Sequence, residues 1–405
     1  MSKQKKPTKW IKFRHRIVRN ILNVTLGVFS RLKYRIKIRR FKEPEHRPYL
    51  IRFNHQTPFD QFFVGMAFRR PVYYLATEDI FSNGWVSSLI KYLAAPIPIK
   101  KQTTDVRAIL NCIKVSREGG TIAIAPEGNR TYSGRTEYMS PSIVSLARKL
   151  DVPIVLFRIE GGYGTNPRWS DKVRKGKMLA YVSEVIAPEQ YKEMSDDELF
   201  ARIKDGLYVN EAVADREFIS NKKAEYLERA IYVCPHCGLS TFESNGNLVK
   251  CLKCGLTVEY TAKKELISGD ESFRFGFVAD WYDYQNNFVN SLDVTKMTDA
   301  PLYTDEADLY RVIRCKNKEI IEKSVRVQLF GDRIEIRTTD SNMVFPFDTT
   351  SAVTVLGRNK MNIYHGDDIY QLKPPKRFNA IKYVNLFNRY KNITKGDEAS
   401  AYLGL

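Results

Sequence analysis

Acidic side chains are missing from the first 42 positions of this sequence; Glu43 is the first. A long apolar run is missing there too. Only eleven residues lie between Arg19 and Arg31, whereas a bilayer crossing needs about 20 apolar residues, so the segment is not a span. Basic residues run through its apolar part and no small-residue cleavage site follows, which argues against a secretory signal. Cysteine is scarce. Of the six, four stand in two Cys-x-x-Cys pairs, while Cys112 and Cys315 stand alone in apolar patterns. That usage speaks against a disulfide scaffold and for a metal held in a reducing compartment. Internal repeats, low-complexity tracts and a nucleophile elbow for a serine triad are also wanting.

What is present describes a folded chain of two or three domains. It has 405 residues, 43% of them hydrophobic and 27% charged. The net charge of +19 calls for a polyanionic partner: nucleic acid, an anionic membrane or a phosphorylated substrate. Near the N-terminus Trp10, Phe13, Ile17, Ile21, Val24 and Val28 recur every three or four positions, with Ile11, Val18, Leu22 and Phe29 beside them. Lys9, Lys12, Arg16 and Arg19 fall between. At 3.6 residues per turn this makes an apolar stripe and a cationic face, suited to the headgroup layer of an anionic membrane. A solvated basic tail is the alternative. The expectation is a cytoplasmic protein, peripheral on the inner face of a membrane.

Downstream, short apolar runs alternate with helical patterns. Strands are expected at Tyr49–Phe53, Val72–Ala76, Ala95–Ile99, Thr121–Ala125, Val152–Arg158 and Leu179–Val185. Helices are expected from near Pro58 to Phe68, and at Ser82–Leu93, Asp105–Glu118 and Ser142–Leu150. Such alternation predicts an α/β layer architecture. The charged stretch 214–229 reads as a linker or helix. From Lys323 onward, alternation through Val325, Val327, Leu329, Ile334 and Ile336 predicts strands, and Phe378–Tyr390 a final helix.

Two loops carry the candidate chemistry. In Asn54-His55-x4-Asp60, a turn into a helix just after His55 would bring Asp60 beneath the imidazole, fixing its tautomer. The far nitrogen would then be left as a base for a hydroxyl, a role worth roughly 10²–10⁴-fold in rate. The second loop, Glu127-Gly128-Asn129-Arg130, follows a buried strand, where α/β folds present ligands. Gly128 would let backbone approach a ligand, Arg130 offers a planar fork for phosphate, and Glu127 would hold a ligand hydroxyl or orient Arg130.

Together these blocks resemble the PlsC-like glycerolipid acyltransferase family, typified by bacterial 1-acylglycerol-3-phosphate acyltransferase. The Asn-His-x4-Asp block is matched by Asn54, His55 and Asp60. The Pro-Glu-Gly-Thr-Arg block is matched by Pro126, Glu127, Gly128 and Arg130, with Asn129 where the family has Thr. A short strand with a basic residue is matched by Ile97-Pro-Ile-Lys100, and Val-Pro-Ile by Val152-Pro-Ile154. The resemblance covers about residues 10–210. It implies transfer of a fatty acyl group from acyl-CoA or acyl-carrier protein to a lysophospholipid hydroxyl, first of all lysophosphatidic acid to phosphatidic acid. His55 would be the general base and Asp60 its partner. Glu127, Gly128, Asn129, Arg130 and Lys100 would form the substrate-binding set. Glycerol 3-phosphate or another lysolipid remains an alternative acceptor.

Cys234-Pro-His-Cys237-Gly and Cys251-Leu-Lys-Cys254-Gly stand thirteen residues apart. Four thiolates favour a closed structural zinc, and a glycine after each second cysteine suits the knuckle turn. Because zinc ribbons often bind nucleic acid or protein, a non-enzymatic regulatory or nucleic-acid-binding protein is the rival reading. The ribbon has few basic residues, so a nucleic-acid partner is not expected. The expected organisation is a basic amphipathic segment (1–45), an acyltransferase domain (46–212), a linker (213–232), a zinc ribbon (233–262), a connecting region (263–322) and a small β-rich, PH- or GRAM-like domain with a terminal helix (323–393).

Overall fold

The computed structural model describes residues 9–44, 47–81, 84–99, 105–313 and 318–396. Lys100, Cys315 and the first eight residues of the basic segment lie outside them. The chain divides into two compact units. The first comprises the chain up to Arg130, Met139–Gly161 and Lys177–Val209; the second comprises Thr131–Tyr138, Gly162–Gly176 and the chain from Asn210 onward.

The first unit is a mixed α/β layer structure. Its strands are β1 (Ile36–Ile38), β2 (Leu50–Phe53), β3 (Val72–Thr77), β4 (Ile97–Ile99), β5 (Thr121–Ile124), β6 (Ile154–Glu160) and β7 (Met178–Ile186). They form one sheet in the order β1-β7-β6-β2-β5-β3-β4. Every neighbouring pair is parallel except β6 and β7. All four residues of β2 are buried, as expected of a parallel strand covered on both faces. The helices are α1 (Phe13–Tyr34), α2 (Asp60–Ala67), α3 (Gly84–Ala94), α4 (Val106–Arg117), α5 (Ile143–Leu150) and α6 (Asp196–Leu207). The core joins Leu50, Ile122, Ile154 and Leu156 of the sheet to Cys112 and Val115 of α4, Val144 and Ala147 of α5, and Leu199, Ile203 and Leu207 of α6. Asp105 caps α4 by accepting from the Ala108 amide at 3.1 Å. Beyond its other end Gly119 takes the left-handed conformation.

Helix α1 is seated contrary to its apolar stripe. Its inward residues include His15, Ser30 and Tyr34, all buried. The stripe faces out: Phe13 is 77% exposed, Val24 70% and Leu32 78%, with Ile17, Ile21 and Val28 also exposed. Polar contacts hold the inner face. His15 Nδ1 hydrogen-bonds the Tyr73 hydroxyl at 3.1 Å, and the Arg19 guanidinium donates to the Phe68 carbonyl. Trp10 precedes the helix rather than joining its stripe, and its indole donates to the Ala95 carbonyl at 2.9 Å.

The second unit contains short strands around the cysteine pairs: β8 (Val233–Cys234), β9 (Gly238–Leu239), β10 (Phe242–Asn245), β11 (Leu248–Cys251), β12 (Thr257–Tyr260) and β13 (Leu266–Ile267). Helix α7 (Val278–Ser291) follows. Then come β14 (Tyr303–Arg311), β15 (Glu319–Leu329), β16 (Arg333–Arg337), β17 (Asn342–Pro346), β18 (Thr350–Leu356), β19 (Lys360–His365), β20 (Asp368–Lys373) and helix α8 (Ile381–Thr394). These seven last strands form an antiparallel sheet in the order β17-β16-β15-β14-β20-β19-β18. A separate β-rich region ending in a helix is therefore present, as expected.

Several boundaries differ from those read in the sequence. The stretch 46–212, expected as one acyltransferase domain, is divided between the two compact units. Tyr132, Tyr163 and Trp169 pack in the same apolar cluster as Tyr260, Trp281 and Leu386. Periodicity shows that such residues are buried but not in which core. The charged stretch 214–229 holds no α-helix, only an isolated bridge at Ile219 and the short turn Leu227–Arg229, and several charges in and beside it are paired. Lys264 Nζ lies 3.2 Å from Glu211 and 3.3 Å from Asp215, and Arg229 donates to Asp171 at 2.8 Å. The expected connecting region holds α7, and the large sheet begins at Tyr303, ahead of Lys323.

Candidate active site

Strand β2 delivers Asn54 and His55 to its carboxyl end. The Asn54 side chain copies a peptide group: its Nδ2 donates to the Ile159 carbonyl at 2.8 Å, and its Oδ1 accepts from the Ile159 amide at 2.7 Å. The pairing of β2 with β6 thus extends one residue beyond the strand and fixes where His55 leaves it.

Asp60 opens α2 and is fully buried. Its Oδ2 accepts from His55 Nδ1 at 2.8 Å, from the Gln56 amide at 2.6 Å and from the Thr57 amide at 2.9 Å. Its Oδ1 accepts from the Thr57 hydroxyl at 2.6 Å. One carboxylate therefore shapes the whole turn and holds the imidazole. With Nδ1 donating to it, the proton-free nitrogen of a neutral ring is Nε2. The His55 side chain is 23% exposed, the Phe53 ring stands edge-on to it at 6.1 Å between centroids, and among the described residues Nε2 has no hydrogen-bond partner. The geometry leaves a positioned base with one open nitrogen.

The second loop leaves β5, the parallel neighbour of β2, at the same end of the sheet. Glu127 Oε1 accepts from the His55 amide at 2.8 Å. This joins the two loops across 72 residues of sequence and gives Glu127 a task the sequence did not suggest, since one of its oxygens holds His55. Gly128 has φ +68°, and a Cβ added there would meet nothing within 4 Å. Its requirement is the left-handed turn, with the Gly128 amide donating to the Ala125 carbonyl at 3.1 Å. Asn129 is half-buried, and Arg130 is buried rather than a solvated surface arginine. Lys100 lies outside the described residues. His55, Asp60 and Glu127 are joined by hydrogen bonds of 2.8 Å, and Gly128, Asn129 and Arg130 continue the same loop.

Arg52 went unnoticed in the sequence. It is buried in β2, its Nη2 donates to the Ile143 carbonyl at 2.7 Å, and burial pushes its pKa down to about 10. It ties the strand that carries His55 to the start of α5. An arginine inside the apolar run Leu50-Ile-Arg-Phe53 was the available signal.

In the second unit the four Sγ atoms of Cys234, Cys237, Cys251 and Cys254 lie within 4.8 Å of one another. Cys234 and Cys254 are 3.6 Å apart at sulfur, near the ~3.8 Å edge of a tetrahedron with metal–sulfur bonds of about 2.3 Å. The glycine after each second cysteine takes the left-handed turn: Gly238 has φ +67° and Gly255 φ +83°. The donor set fits a four-thiolate metal. His236 lies beside it, its Nε2 2.7 Å from the Ser272 hydroxyl.

Comparison with known proteins bears on the first unit. Residues 35–160 match the protein family described as "Acyltransferase". The 1-acyl-sn-glycerol-3-phosphate acyltransferase of Bacillus subtilis (strain 168) is 24% identical over 136 residues, which are 34% of this chain and 65% of that protein. The chain thus spans a little under two thirds of the curated relative it matches. The crystal structure of the 1-acyl-sn-glycerophosphate (LPA) acyltransferase PlsC from Thermotoga maritima is 20% identical and aligns with a TM-score of 0.41, covering 48% of this chain and 78% of that one.

Proposed function

We propose that residues 35–160, which match the family described as "Acyltransferase", form a PlsC-like domain that moves a fatty acyl group from a thioester, acyl-CoA or acyl-carrier protein, to the free hydroxyl of a lysophospholipid. Lysophosphatidic acid, giving phosphatidic acid, is the acceptor put forward. The observation that carries this reading is the His55–Asp60–Glu127 arrangement, in which both hydrogen-bonding ends of the histidine other than Nε2 are held.

In the proposed reaction Nε2 of His55 takes the acceptor's hydroxyl proton as that oxygen attacks the thioester carbonyl. Asp60 stabilises the imidazolium that results. The tetrahedral intermediate expels the thiolate, which recovers the proton from His55, so an ester forms, a thioester breaks and the histidine returns neutral. Arg130 supplies donors for the acceptor's phosphate, where a planar fork is stronger than a point charge.

A lipid acceptor is favoured over soluble glycerol 3-phosphate by α1. A helix in water buries its apolar stripe; this one buries His15, Ser30 and Tyr34 and leaves Phe13, Ile21, Val24 and Leu32 outside. Acyl chains of a membrane surface would cover that stripe, with the basic residues of the same segment beside anionic headgroups. Among the described residues no helix is long and apolar enough to cross a membrane. For the four cysteines the proposed occupant is a structural zinc, closed to solvent ligands and outside the chemistry.

The test is acyl transfer by purified protein, followed by mass spectrometry over a panel of lysolipids with both donor types. Product from at least one lysolipid is expected, with His55→Ala slower by about 10²–10⁴-fold while still folded. Near-normal turnover in that variant would refute the assignment of the base.

A further inference from the structure

The inward side of α1 carries a buried hydroxyl, that of Ser30, which the described residues of the first unit do not satisfy. Between α1, β1 and α2 lies a cleft of about 80 Å³ lined by Asn23, Ser30, Arg31, Arg40 and Met66, among others. It is well below the roughly 300–1,000 Å³ of an ordinary organic-ligand site, so it suits a small group and not a fatty chain. None of the lining residues belongs to the loops that carry His55, Asp60 or Arg130.

Three observations converge on an anion. The Ser30 hydroxyl is 1% exposed and has no hydrogen-bond partner among the described residues. A buried hydroxyl left so costs free energy unless something occupies the space before it. Arg31 and Arg40 also line the cleft, and among the described residues neither makes an ion pair. The nearby Arg19 is no substitute partner. The Asn23 amide oxygen accepts from it at 2.9 Å, and its own pKa is lowered first by burial and then by repulsion from Arg40. Finally, the chain supplies no acid from Met1 to Lys42, and Glu43 already accepts from the Arg69 amide at 2.6 Å. Positive charge therefore gathers around a donor-lined space with no carboxylate in its lining among the described residues; Glu43 acts on Arg19 but is not part of that lining.

We propose that this cleft is a second phosphate-binding site, separate from the acceptor's site, in which Arg31, Arg40 and the Ser30 hydroxyl each donate to oxygens of one phosphate group. Two guanidinium forks and a hydroxyl match a tetrahedral oxyanion better than a halide or a planar carboxylate. The phosphate is that of a phospholipid headgroup or a free phosphate. Either would lock α1 onto the unit from the inside while its apolar stripe faces outward.

The experiment compares the wild type with Ser30→Ala, with the pair Arg31→Gln and Arg40→Gln, and with a charge-matched control pair, Lys149→Gln and Lys204→Gln, exposed on α5 and α6 and outside both the cleft and the basic N-terminal segment. Folding is checked by circular dichroism and melting; Ser30→Ala loses only an unpartnered hydroxyl and is expected to stay folded. Inorganic phosphate alone is titrated by calorimetry. Vesicles of phosphatidylcholine with phosphatidic acid, or with phosphatidylglycerol at equal surface charge, are tested by co-sedimentation. The expected result is binding about tenfold weaker in both cleft variants than in the control pair, the size of loss set by one charge-assisted hydrogen bond. Loss in the phosphate titration identifies free phosphate as the source. Loss confined to the preference for phosphatidic acid vesicles identifies the headgroup. The proposal is overturned if the wild type neither binds phosphate nor prefers phosphatidic acid, or if the control pair loses as much as the cleft variants.

Discussion

At the scale of single residues, the site depends on acceptors more than on charges. Asp60 receives four donors, and Glu127 receives the His55 backbone amide. A glutamine at 127 keeps a carbonyl oxygen that can accept the same amide hydrogen, whereas an alanine keeps none. Glu127→Gln is therefore expected to retain acyl transfer within a few-fold, and Glu127→Ala to lose about 10-fold or more, the loss of one buried charge-assisted bond. Steady-state kinetics of the two variants decide it. Equal losses would mean that the negative charge of Glu127, and not its hold on His55, is what matters.

At the scale of elements, α1 carries two predictions because its faces do different things. Its outer residues make few packing contacts, so Ile21→Asp with Val24→Asp is expected to leave melting almost unchanged and to weaken co-sedimentation with anionic vesicles about 10-fold or more, since each aspartate sets a charge against lipid. Undiminished vesicle binding would return the apolar stripe to solvent. The inner face brings a pH dependence. Burial, then the charges of Arg14 and Lys12, hold the His15 pKa below its ordinary value of 6.5. The unfolded chain thus binds the proton more readily than the folded one, and stability rises with pH over that interval. The contribution is complete above about pH 6.5 and is lost as the pH falls below it toward the folded value. Melting curves from pH 8 to pH 5 should show the wild type losing more stability than His15→Phe, in which this ionisation is absent. Parallel curves would mean that His15 has no such role.

At the scale of the whole molecule, the two apolar clusters lie one in each compact unit, and each unit is expected to melt by its own transition. Cys234 and Cys251 are buried in the cluster that includes Trp281, Ile334 and Leu386, so a metal held by the four thiols would join the β8–β9 hairpin to the turn after β11. Chelation, or Cys251→Ser, is expected to lower the melting of that unit by on the order of 10 °C, given about 2–4 °C per kcal/mol for a domain of this size. Leu50, Ile122, Leu156 and Ile203 form the other cluster, and its transition should stay in place. A single transition that ignores chelation would remove the structural metal from the account.

The sequence by itself determined which residues meet within each loop. His55 and Asp60 are five residues apart and Glu127 to Arg130 are adjacent, so turn geometry alone brings each set together. The α/β alternation of the first unit and the two cysteine knuckles were legible for the same reason: 3.6 and 2.0 periods and short spacings are properties of neighbouring residues. Only the tertiary structure decided the rest. It joined Glu127 to His55 across two parallel strands, placed Tyr132 and Trp169 in the second core, and found partners for the charges of 211–229. It also turned Phe13, Ile21 and Val24 of α1 outward, against what an apolar stripe does in water. Those outcomes depend on which distant surface a face meets, and a one-dimensional pattern marks a face without naming its partner.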